Sequence, residues 1–120
     1  VRTSGSIFGI YKVDGGTVWL EQSRNGSTST DQISAVTAGG ASYQILEVFI
    51  EAYSTLQCVV SYHVDGSELR DSTTLAPIQH RVNYASLTEM NFGMYAKAGG
   101  GAAETLNVDY AGAACVMVTP

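Results

Sequence analysis

The sequence predicts an all-β protein, an antiparallel β-sandwich of about nine short strands with no significant helix. Three observations predict it. Apolar residues recur at alternate positions, not at helical spacing, along nearly the whole chain. Asp-Gly, which occurs twice, and Asn-Gly, which occurs once, punctuate the alternating runs, and these dipeptides supply the positive φ angles that tight hairpin turns require. The chain has 120 residues, 45% of them apolar, enough for one domain with a real core and too few for two.

The first alternating run spans 6–12 and the second 17–23, with the turn Val-Asp-Gly-Gly at 13–16 between them. Asn25 and Gly26 open the polar stretch 27–30, and a short strand at 31–38 ends at Gly39 and Gly40. The strongest pair follows. Residues 43–53 read as one long strand and 56–64 as its partner, joined by a tight turn near Ser54 and Thr55. Leu46, Val48, Ile50 and Ala52 make one apolar face of the former; Leu56, Cys58, Val60, Tyr62 and Val64 make one of the latter. Asp65-Gly66 turns the chain into a short strand at 68–72. The stretch 75–90, with Pro77, fits an irregular crossover or a short edge strand. Strands at 91–97 and 105–110 flank the Ala/Gly loop 98–103, and the apolar run 113–118 is a last strand or a docking tail. Regular short strands without helices call for a sandwich or a jelly roll.

Charge is sparse. Only 14% of residues are charged, against the usual ~25%. Net charge is −5, and no two of Arg2, Lys12, Arg24, Arg70, Arg81 and Lys97 lie within five positions of each other. Nucleic acid and anionic membranes select clustered cations, so neither is an expected partner. The longest wholly apolar run, 113–118, is too short to span a bilayer. The opening residues 1–5 lack an apolar stretch of the secretory kind, so synthesis in the cytoplasm without a signal peptide is expected. A chain beginning with Val leaves Met removal and an upstream segment both open. Cys58 and Cys115 stand 57 positions apart, which suits buried free thiols on strands better than a metal site, with a disulfide as the second reading.

No catalytic apparatus emerges. Glu47 and Glu51 share a strand face, but their backbones are about 13 Å apart at ~3.3 Å per residue. Paired glycosidase carboxyls need roughly 5.5 Å or 6.5–9.5 Å. His63 and His80 are the only histidines and neither has metal-ligand spacing; His63 reads as a cross-strand polar residue. There is no G-x-S-x-G elbow and no phosphate-cradling glycine loop before a helix. No cofactor or metal is expected.

Two surfaces stand out instead. If Leu46, Val48 and Ile50 face the core, then Tyr43, Ile45, Phe49 and Tyr53 line the opposite face, too apolar for water and suited to cover by another subunit, the chain termini or the surface of a larger assembly. If Val18 and Leu20 face the core, Trp19 points outward, either packed in a subunit contact or under a loop, or joined by Tyr11 on the opposing strand in a glycan platform.

The runs YQILEVFI (43–50), VSYHVDG (60–66), FGMYAKAG (92–99) and ETLNVDY (104–110) occur in an order that resembles concanavalin A-like (laminin-G-like) jelly-roll domains, in particular those of bacteriophage structural proteins. The resemblance covers about residues 43–110. It implies a virion part: a capsid decoration, or cement, protein. Such a protein would bind across major capsid protein subunits on the outer capsid surface, stabilise the shell, and act as a homodimer or homotrimer. The termini outside the strands are then the expected grips: Val1, Arg2 and Thr3 in the arm 1–5, and Val116, Met117 and Val118 in the arm 116–120. The residues that bind calcium and sugar in true lectins have no counterpart in this sequence. The alternative is a lectin-like carbohydrate- or receptor-binding module of a phage tail or surface protein.

Overall fold

The computed structural model of the chain describes residues 7–13, 15–25, 28–39, 42–83, 93–94, 105 and 107–114. Seven strands follow in order: β1 (Ile7–Tyr11), β2 (Val18–Asn25), β3 (Thr28–Thr37), β4 (Leu46–Ala52), β5 (Gln57–Val64), β6 (Ser67–Glu68) and β7 (Gln79–Asn83). All pairing is antiparallel, in two sheets, and no helix occurs among the described residues. The first sheet is the meander β1-β2-β3. In the second, β5 is central, with β4 along one edge and β6 and β7 along the other.

Turn chemistry explains the connections. Asp65 and Gly66 take φ of 52° and 76°, the left-handed pair of a two-residue hairpin. The Asp65 carboxylate then accepts the Ile45 backbone N–H at 2.9 Å, tying the approach to β4 onto this turn. The first hairpin is looser than its Asp-Gly signal suggests. β1 ends at Tyr11 and β2 begins at Val18, with Gly15 at φ 69° and the Gly16 N–H donating to the Val13 carbonyl. The Asn-Gly signal at 25–26 is the tighter one. Asn25 pairs with Thr28 across a two-residue connection, so the polar residues 28–30 belong to β3, not to a loop. Ladder bonds use the backbone, and β-branched Thr suits a strand whatever its polarity.

The loop 71–76 joins the sheets. Asp71 Oδ1 accepts the backbone N–H of Thr74 at 2.7 Å, that of Thr73 at 3.0 Å and the Thr74 hydroxyl at 3.0 Å. This closes a turn in which Leu75 takes φ of 58°. On its outer side the loop pairs with β3: the Ala35 N–H donates to the Arg70 carbonyl and the Ser72 N–H to the Ile33 carbonyl, both at 2.9 Å.

The core sits between the sheets. Cys58, Val60, Tyr62 and Val64 occupy one face of β5 and are buried with Leu69, Ile78 and Val82; Phe8, Ile10, Trp19, Val36 and Ile50 pack against them. Burying an apolar side chain of this size is worth roughly 1.5–3 kcal/mol. Several expectations change here. β4 starts at Leu46 and ends at Ala52, shorter than 43–53. Leu46 and Val48 lie opposite Val64 and Tyr62 as expected but stay 41% and 40% exposed. Only Ile50 of β4 joins the core, because β4 has a strand neighbour on one side only among the described residues. Leu56 precedes β5 and is 74% exposed, outside the core face assigned to it. The described residues of 105–110 carry no strand, and Tyr110 is exposed. The expected strands at 91–97 and 113–118 lie mostly outside the described residues, and the arms 1–5 and 116–120 wholly so.

Candidate functional site

Two sites take shape, one on the second sheet's outer surface and one between the sheets. Tyr43, Ile45, Phe49 and Tyr53 are all exposed, the first two by 72% and 65%. Phe49 lies in register with Ser61 and packs edge-on against His63, ring centroids 4.8 Å apart. Tyr53 lies under the Arg81 guanidinium, 4.1 Å from ring centroid to Cζ. His63 is the cross-strand polar residue expected, set between Glu47 and Glu68 in the ladder. With Leu46 and Val48 exposed on the inner side as well, β4 presents large apolar side chains on both of its faces. Val1, Arg2, Thr3, Val116, Met117 and Val118 lie outside the described residues.

Trp19 and Tyr11 form no platform. Ile10 pairs with Glu21 and Phe8 with Ser23, and because Phe8 and Ile10 pack on the core, the alternating set Trp19, Glu21 and Ser23 faces inward. Trp19 is half-buried, and its indole N–H donates to Gln44 Oε1 at 2.9 Å. Tyr11 pairs with Leu20 and so shares the opposite face. Val18 and Leu20 are those that turn away from the core, reversing the expected facing of β2.

That reversal buries a carboxylate. Glu21 is wholly inaccessible, and His80 of β7 donates its Nε2–H to Glu21 Oε1 at 3.0 Å, a link from one sheet to the other. The Tyr62 ring meets His80 edge-on, with centroids 5.8 Å apart. Burial, and then the negative charge of Glu21, push the Tyr62 hydroxyl far above its ordinary value. The hydroxyl is turned toward that carboxylate, yet neither Tyr62 Oη nor Glu21 Oε2 reaches hydrogen-bond geometry with any partner. Chain position hid this cluster, since Glu21 and His80 are 59 residues apart. One signal could have found it: a glutamate in register with Ile10 inside a β-hairpin whose other strand turns Phe8 and Ile10 the same way.

A pocket of about 140 Å³ opens beside His80, lined in part by Phe8, Ser23, Thr30 and Val82. Ser23 is the nearest nucleophile type on Glu21's face, but no hydrogen bond joins it to His80. Glu47 and Glu51 stand on either side of Phe49 on the outer surface, four residues apart along the strand. Cys58 is a buried free thiol, raised above its ordinary pKa by burial, with Sγ 3.6 Å from the Val82 carbonyl; Cys115 lies outside the described residues. Among the described residues no group of His, Cys, Asp and Glu is arranged to hold a metal ion, and no helix is long and apolar enough to cross a membrane.

No protein-family model, no curated protein and no solved structure matches the chain.

Proposed function

We propose that this chain is a non-enzymatic docking module, a capsid decoration protein that binds across major capsid protein subunits on the outside of a virion. The observation that carries the docking reading is β4. It pairs on one side only among the described residues and exposes Leu46 and Val48 on one face and Phe49 on the other. Tyr43 and Ile45 extend the apolar surface at the strand's start. Exposed apolar edge strands invite association, and proteins ordinarily blunt or cover them. The low charge content suits a wide, neutral contact. The virion assignment rests on the resemblance of residues 43–110 to phage jelly-roll domains and carries jelly-roll connectivity, about nine strands and a homodimer or homotrimer with it. Its action would be mechanical: binding only the assembled shell stabilises that shell by mass action.

The test is rebinding. Purified chain added to particles lacking it should sediment with them. Val48→Lys and Phe49→Lys, each on a half-exposed site and checked for an unchanged thermal transition, should remain in the supernatant. Equal sedimentation of folded variants would remove β4 from the interface.

A further inference from the structure

We propose that the outer face of the second sheet also carries a binding site for a carboxylated sugar, with Arg81 as the carboxylate-recognising group. A hollow of about 430 Å³ lies across β4, β5 and β7, lined by Glu51, Ala52, Tyr53, Val59, Gln79 and Arg81. Tyr53 belongs also to the outer face expected to dock, and the residues of the hollow differ from those of the earlier glycan expectation at Trp19 and Tyr11.

Arg81 is the starting point. Its guanidinium rests over the Tyr53 ring at 4.1 Å, and no carboxylate among the described residues pairs with it. Stacking occupies the flat face of the group and leaves the N–H donors, which lie in its plane, aimed outward. A stacked guanidinium loses less freedom on binding, and its fork matches a carboxylate with two parallel hydrogen bonds. The ligand feature this geometry selects is a planar anion.

The rest of the hollow selects the remainder of the ligand. Val59 sits in register between Glu51 on β4 and Arg81 on β7. At ~4.8 Å per strand the two flanking backbones are roughly 9–10 Å apart, room for one hexose-sized ring over an apolar floor. Glu51 is an exposed acceptor for hydroxyl groups on the side away from Arg81. The Gln79 amide, held by a hydrogen bond to Glu68, adds polar atoms at the rim. A ring with hydroxyls on one side and a carboxylate on the other satisfies both walls.

A peptide fits less well. β4 and β7 take up the backbone groups of β5 on its two sides, so a ligand on this face meets side chains alone. Peptides that bind sheets by strand addition need a free backbone edge. A sugar does not. The chain's net charge of −5 opposes an anion at long range, so recognition falls to the local fork of Arg81.

The experiment titrates the full chain by calorimetry with a galacturonate trisaccharide and with sialyllactose, and with maltotriose as the neutral control. Saturable binding of at least one acidic sugar, roughly tenfold or more tighter than maltotriose, is the expected result. Arg81→Gln should weaken it ~10- to 100-fold, the range for losing a charged hydrogen-bonding group. Arg81→Lys should fall between, since it keeps the charge and loses the fork. No binding of either acidic sugar, equal binding of maltotriose, or an Arg81→Gln protein that binds as well as wild type would each overturn the proposal.

Discussion

Replacing His80 by Phe isolates the link between the two sheets. Phe keeps an aromatic ring, larger than the imidazole, for the edge-on contact with Tyr62 but removes the Nε2–H that satisfies Glu21 Oε1 at 3.0 Å. Glu21 is wholly buried and its other oxygen already lacks a partner, so the variant leaves a carboxylate with neither oxygen satisfied. Breaking a buried pair by removing one member costs about 3–5 kcal/mol. Two effects reduce that figure. A small shift lets the Tyr62 hydroxyl, which is turned toward the carboxylate, donate to it and recover about 1 kcal/mol, and water admitted at the partly exposed position 80 hydrates the freed oxygen. A net loss of roughly 2–4 kcal/mol follows, a large share of the ~5–15 kcal/mol that holds a domain together. The double variant Glu21→Leu with His80→Phe replaces the pair with apolar groups and should regain most of the loss. Urea unfolding followed by the fluorescence of the single, half-buried Trp19 measures all four corners of this cycle. A His80→Phe cost below about 0.5 kcal/mol, the range of ordinary surface changes, would refute the reasoning. So would single-variant costs that simply add in the double variant.

Three further predictions follow from local geometry. Gly66→Ala forces a Cβ onto a residue at φ 76° and should cost about 1 kcal/mol or more in the same unfolding assay, although no atom lies within 4 Å of the new methyl; a neutral result would mean the turn relaxes freely. Asp71 is held below its ordinary value of 3.8 chiefly by the Thr74 and Thr73 backbone N–H groups, then by the Thr74 hydroxyl. A carboxyl depressed on folding adds stability that is complete above the unfolded pKa and is lost as pH falls through the folded one. Asp71→Asn should therefore flatten the fall in Tm below about pH 4 and leave its slope near neutrality alone, and an unaltered acid limb would contradict this. Cys58, buried with a raised pKa, should react with a thiol reagent in a Cys115→Ser background only as fast as the protein unfolds; rapid labelling in the absence of urea would show that it is accessible.

How much was legible in the sequence depended on whether one residue pattern had one physical solution. The β4-β5 pairing was readable because a strict alternation met a turn that only one register satisfies, and Asp65-Gly66 marked its far end. The facing of β2 was not. Val18 and Leu20 compete with Trp19 for the core, and the decision came from β1, where Phe8 and Ile10 turn inward and carry Trp19, Glu21 and Ser23 with them. The same ambiguity hid the Glu21–His80 contact, because a glutamate between Leu20 and Gln22 reads as a solvent residue until its face is known. Alternation identified the inner side of β4 correctly but said nothing of coverage. Leu46 and Val48 point the expected way and remain exposed, since coverage depends on how far the opposing sheet extends. Arg81 over Tyr53 was invisible for another reason: it joins Tyr53, just past the end of β4, to a strand that begins 26 residues later, across a crossover the sequence left undefined.

The central claim is that this chain coats an assembled shell. Its most direct test is the copy number of the chain relative to major capsid protein in purified particles, by quantitative mass spectrometry. The account predicts a fixed stoichiometric ratio, with the chain present at every repeat of one lattice position. A few copies per particle, or none, would contradict it.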